Sequence, residues 1–221
     1  MVNILSTDPK TQLVTDCWIK ASWSDFALLS DDSTHSEIAR FYYDYDSMRI
    51  EMAALGPLHG RNNSVVYDVI SLFAIVKNIR ILKLTNTSFR KTGFQECQPD
   101  SSFYLGDQFV LPPQNNSPID LDSFETPHLV IEVATTSLND DLGRKRLLYE
   151  RLGVKEYWVV NVGESEIYAF EVANNRSGRI TRSQVLTGLE ISIVEEALRL
   201  SHTEDDSAIA RWLLQTFNAL D

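Results

Sequence analysis

The stretch Pro127-His-Leu-Val-Ile-Glu-Val133 decides how this chain is read. Leu129 to Val133 is a short apolar run rich in β-branched residues, which predicts a strand covered on both faces. A carboxylate has no cheap place in such a strand, because burying an unpaired charge costs several kcal/mol. Glu132 is therefore expected at the strand's end, beside a cation, a metal ion or a water-filled cleft. That makes the strand a candidate active-site wall.

A helix is expected next. Ser137 and Asn139 offer N-caps, Asp140 and Asp141 suit a first turn, and Gly153 supplies a C-terminal stop. On a wheel stepping about 100° per residue, Leu142, Leu148, Tyr149 and Leu152 form one apolar stripe with Lys145 in its middle. Arg144, Arg146, Glu150 and Arg151 lie mostly outside it. Two readings of Lys145 follow. Its stem packs while the ammonium escapes to solvent, or it points at Glu132 across the strand–helix contact.

A chain of 221 residues suits one large or two small domains and can bury a sizeable core. With 43% hydrophobic and 23% charged residues it has the composition of an ordinary globular protein. No run approaches the roughly 20 apolar residues of a membrane span, and Met1 to Lys10 lacks a basic-then-apolar signal, so no membrane partner is expected. Cys17 and Cys97 form no metal-type cluster, which predicts reduced thiols and a cytoplasmic location. The net charge of −11 steers the chain away from phosphates, so DNA binding would require a local basic patch or divalent cations.

Elsewhere the pattern mixes α and β without repeats. Trp18 to Leu29 predicts a short helix, and Arg40 to Tyr45 with Met48 to Met52 a hairpin. Val65, Val69, Leu72 and Val76 repeat at helical spacing within 62–77. Strands are expected in 80–90, 99–105, 156–161, 166–172 and 179–186, with a turn at 174–178. Ile209, Trp212, Leu213 and Phe217 share a face of a final amphipathic helix, which packs on its own body or on another subunit. An exposed stripe there would favour a homodimer.

These residues also carry a resemblance. Pro127 to Val133, then Leu142, Lys145 and Tyr149, then Leu152-Gly-Val-Lys-Glu-Tyr-Trp-Val-Val160 resemble the Uma-type family of restriction-endonuclease-like proteins abundant in cyanobacteria. Arg49 to Met52, Gly56 to Gly60, Cys97 to Tyr104, Ile119 to Asp122, Thr187 to Leu189 and Arg211 to Leu213 resemble it too, in the right order. The family is assigned to the PD-(D/E)XK nuclease superfamily. The resemblance implies an α/β (α+β) fold, a restriction-endonuclease-like mixed sheet flanked by helices, with an N-terminal hairpin and a C-terminal helical extension. The expected divisions are an N-terminal segment 1–22, the nuclease-like domain 23–188 and the extension 189–221.

Carried over, Asp100 takes the place of the motif's aspartate, Glu132 that of its second acid and Glu51 that of an additional upstream acid. The superfamily's usual lysine would fall at Ala134, which carries no charge, and the resemblance points instead to Lys145. His128 and Asn161 stand where relatives often have aspartate. Asp100, Glu132 and the main-chain carbonyl of Val133 would hold Mg²⁺ or Mn²⁺. Such an ion would polarise a phosphodiester and acidify a bound water. Lys145 would orient that water or stabilise charge on the phosphate, and Glu51 would complete the coordination shell or act as a base.

Other histidines show no ligand spacing, although His59 stands near a helix start where it could contact a phosphate. The functional expectation is a metal-dependent endonuclease acting on DNA. The alternative is a catalytically silent interaction module of the same fold, and a third reading has a basic protein partner supply the DNA-binding surface.

Overall fold

Apolar alternation and short turn signals divide this chain into twelve strands and five helices among the residues that the computed structural model describes, 14–32, 39–52 and 56–220. The elements begin with β1 (Trp18–Lys20), α1 (Trp23–Ser30), β2 (Ala39–Asp44), β3 (Ser47–Met52), α2 (Pro57–Val76), β4 (Ile81–Thr85), β5 (Phe89–Lys91) and β6 (Gln95–Cys97). They continue with β7 (Ser101–Leu105), β8 (Ile119–Asp120), β9 (Leu129–Ala134), α3 (138–152), β10 (Glu156–Asn161), β11 (Glu166–Ala173), β12 (Arg176–Ile180), α4 (Ile191–Leu200) and α5 (Asp206–Asn218). Two compact units result, one of Met1–Ala53 with Gly93–Cys97 and one of Ala54–Thr92 with Gln98–Asp221. This division does not coincide with the boundaries expected at 22 and 188. Residues 1–13 of the expected N-terminal segment lie outside the described residues.

In the first unit the strands run in the order β1-β3-β2-β6. The β2–β3 hairpin closes as expected, around Tyr45 at φ 57°. The helix expected over 18–29 is shorter. Trp18–Lys20 pairs antiparallel with β3, and the helix starts only after Ser22, whose hydroxyl accepts the Asp25 N–H at 3.2 Å. Partner-strand pairing has overridden local helical spacing here. Phe26, Phe41, Tyr43, Met48 and Ile50 form the unit's apolar core.

The second unit is built on a six-stranded mixed sheet, β12-β11-β10-β9-β7-β4, in which β9 and β10 run parallel and the other neighbours antiparallel. Every residue of β9 is buried. Leu129, Ile131 and Val133 join Phe103, Trp158 and Val160 in the core that α2, α4 and α5 cover. By the two-residue period of a strand, Val130 and Glu132 face the other way, and α3 lies there. The prediction of a strand covered on both faces therefore holds. The stripe of α5 is buried in the same core, with Phe217 stacked edge-on against Phe73 of α2 at 5.1 Å. The exposed apolar face that motivated a homodimer is thus absent from α5.

β12 starts earlier than expected, at Arg176, because Asn174 and Asn175 adopt φ 53° and 57° and close a two-residue hairpin turn. The loop that follows is tied down by Glu156, a fully buried carboxylate at the start of β10. It accepts hydrogen bonds from Trp158 Nε1 at 2.9 Å, Ser183 Oγ at 3.0 Å, the Val185 N–H at 3.0 Å and the Gln184 N–H. Burial pushes the Glu156 carboxyl above the usual carboxylate range, against the opposing pull of these donors. Between that range and the raised folded value, the folded chain keeps a proton that the unfolded chain has released. Stability should therefore fall as pH rises through that window. Glu156→Gln cannot titrate and is expected to remove this contribution to the slope. Denaturant midpoints measured against pH for both proteins check this, and parallel profiles would refute it.

Candidate active site

Asp100 stands immediately ahead of β7. The β7–β9 ladder ends with Ser101 opposite Ile131, and Asp100 is the residue just before that last pair. The carboxylates of Asp100 and Glu132 are both buried, each 2% exposed. Asp100 Oδ2 accepts the Val133 N–H at 2.7 Å, and its Oδ1 lies 3.0 Å from His59 Nε2. His59 sits in the first turn of α2, which Pro57 opens, and its Nδ1 is 3.5 Å from Thr135 Oγ1.

Glu132 is met from α3. Tyr149 donates its hydroxyl to Glu132 Oε1 at 2.7 Å, and Lys145 Nζ lies 3.7 Å from the same oxygen. The ammonium is closer to Asp141 Oδ1, at 3.0 Å. Asp141 is fixed in turn, with the Ser137 hydroxyl on its Oδ2 at 2.6 Å and the Tyr157 hydroxyl on its carbonyl at 3.0 Å. The Tyr149 and Tyr157 rings stack at 4.7 Å. Lys145 is 1% exposed, so the inward of its two readings describes the structure.

Asp141 is the residue that a regular wheel misses. Asp141–Lys145 forms a π-turn between the α-helical segments Leu138–Asp140 and Arg146–Leu152. The wider turn rotates the buried face, so that Asp141 is buried and Leu142 only half-buried. Two signals in the sequence point that way, Gly143 inside the helix and the four-residue spacing of Asp141 and Lys145.

The remaining candidates fall as follows. Val133 uses its N–H on Asp100, and a strand residue's carbonyl leaves by the same edge as its N–H. Ala134 is buried at the end of β9, so the positive charge beside Glu132 comes from α3. His128 accepts the Leu105 N–H on Nδ1 at 3.0 Å and faces Glu125 at 3.5 Å, toward the opposite end of β9. Glu51 belongs to the first unit, where Arg49 Nη2 and Nε reach its Oε1 at 2.9 and 3.2 Å.

Among the described residues, no group of three or more His, Cys, Asp or Glu side chains is arranged to hold a metal ion. The residues that were expected to hold an ion, Asp100, Glu132 and the Val133 main chain, would each present a hard oxygen donor. Oxygen donors of this kind fit the chemistry of Mg²⁺, which commonly binds through one or two carboxylates with water and substrate phosphate.

Residues 23–206 match the Uma2 family, described as "Putative restriction endonuclease". The chain belongs to this family. The Uma2 match takes in His59, Asp100, Glu132, Asp141 and Lys145, and it ends at Asp206, where α5 begins. A solved structure described as "a putative nuclease belonging to DUF820 from Anabaena variabilis" is similar at 15% identity, over 72% of this chain and 90% of that one, with a TM-score of 0.49. A comparison with curated proteins found no match. No helix among the described residues is long and apolar enough to cross a membrane.

Proposed function

We propose that this chain is a metal-dependent endonuclease that hydrolyses phosphodiester bonds, with DNA as its substrate. The observation that carries the proposal is two buried acids tied to β9, Asp100 through the Val133 N–H that it accepts and Glu132 within the strand, with the buried Lys145 ammonium beside Glu132. Asp100, Glu132 and the Val133 carbonyl would hold Mg²⁺ or Mn²⁺. When bound, the ion supplies Lewis-acid polarisation of the phosphodiester and lowers the pKa of a water. Lys145 offsets the negative charge gathered at Asp141 and Glu132, which eases the approach of a further anion. Tyr149 fixes the direction of the Glu132 carboxylate.

Calorimetric titration of the full chain with Mn²⁺, run beside cleavage assays on DNA and RNA, tests the reading. Saturable uptake and metal-dependent cleavage are expected, and Asp100→Asn should abolish both. A net charge of −11 favours a second reading, an interaction module that keeps the fold without turnover. Absence of both uptake and cleavage in the wild type would replace the first reading with the second. Uptake with cleavage only in the presence of a basic protein partner would assign DNA binding to that partner.

A further inference from the structure

We infer that His59 is a positioning residue of this site, an imidazole that sets the orientation from which Asp100 meets a cation; the inference rests on the metal-dependent reading above. His59 and Asp100 are 41 residues apart in the chain, and both side chains are buried. In the ionised form that a metal ligand takes, Asp100 can only accept, and across the 3.0 Å contact His59 Nε2 would then be the donor. Nδ1 is then turned toward the Thr135 hydroxyl at 3.5 Å. The two Asp100 oxygens are thus engaged from two different elements, Oδ2 by the main chain of β9 and Oδ1 by the first turn of α2. One point of attachment lets a carboxylate plane swing, whereas a second from another element fixes it. A histidine that served packing alone would turn its ring nitrogens to solvent or to local carbonyls. This one aims both at polar atoms around the end of β9, where Val133 and Thr135 flank the site.

Removing a hydrogen-bond partner of a ligating group commonly weakens metal affinity about 10- to 100-fold. His59→Ala is therefore expected to weaken Mn²⁺ uptake by about that factor in calorimetric titration of the full chain. His59→Gln, whose amide can donate in the place of Nε2, should recover most of the loss. Long-range ¹H–¹⁵N spectra of the metal-free wild type should find the ring proton on Nε2. That spectrum does not depend on whether a variant folds.

The role is overturned if wild type and His59→Ala take up Mn²⁺ equally tightly, if His59→Gln melts like wild type yet binds as poorly as His59→Ala, or if the ring proton resides on Nδ1 alone. The two uptake outcomes leave the wild type binding the ion and the spectrum does not bear on its binding, so the proposed function survives each of them. A wild type that takes up no Mn²⁺ at all removes both the proposed function and the role of His59.

Discussion

Lys145→Met is expected to cost the second unit about 3–5 kcal/mol, the range for breaking a buried ion pair by removing one partner. For a chain of this size that corresponds to a melting temperature lower by roughly 6–20 °C. Methionine fills a volume close to that of the lysine stem, so the loss is not one of packing. It arises because Asp141 and Glu132 stay behind, 1% and 2% exposed, without the ammonium that stood 3.0 and 3.7 Å from them. Burial disfavours the charged form of a carboxylate, so in the variant these acids should take up protons more readily than in wild type. The deficit should accordingly shrink as pH falls. Adding Asp141→Leu to Lys145→Met should restore part of the stability at neutral pH, since it removes one of the stranded charges. Thermal and denaturant unfolding of the three proteins at two pH values decides the matter. A single variant within about 1 kcal/mol of wild type would mean that the ammonium is not the counter-charge of these acids.

Much of this arrangement is legible in the sequence, and the exceptions have physical causes. The run Leu129 to Val133 reads correctly because a strand buried on both faces needs no alternation, only apolar residues and a place for its one charge. The inward turn of Lys145 is visible on a wheel because Leu148, Tyr149 and Leu152 lie within two turns of it. Asp141 escapes the same wheel because a π-turn changes the angle per residue just where the site lies. The stretch Trp18 to Lys20 reads as helix because its strand partner, β3, lies about thirty residues away and leaves no local mark. His59 is noticed at its helix start, but its contact with Asp100 escapes for a similar reason, since no spacing rule links the first turn of α2 to the entry of β7. The apolar face of α5 is readable, but its cover on α2 is a tertiary fact. The pairing of Arg49 with Glu51 follows from a strand's two-residue period, which places both on one side of β3.

Glu132→Gln is expected to separate stability from metal response. In the metal-free protein the change should be small, because a glutamine oxygen can still accept the Tyr149 hydroxyl and Lys145 keeps its closer partner, Asp141. With Mn²⁺ the two proteins should diverge. A ligand that binds only the native state at a hundred times its dissociation constant adds about 2.7 kcal/mol, or roughly 5–11 °C in melting temperature. Wild type should show a rise of that order at saturating Mn²⁺. In Glu132→Gln it should largely vanish, because a neutral amide is a poor substitute for a carboxylate on a hard cation. Cleavage should fall further than binding alone suggests. Lewis-acid stabilisation of the transition state is worth several kcal/mol, and each 1.4 kcal/mol or so is a tenfold change in rate, so a loss of about a hundredfold to a thousandfold is expected. Melting curves with and without Mn²⁺, paired with cleavage rates at saturating metal, provide the check. A full metal-induced rise retained by Glu132→Gln would place the ion away from β9 and end the assignment of Glu132 as its ligand.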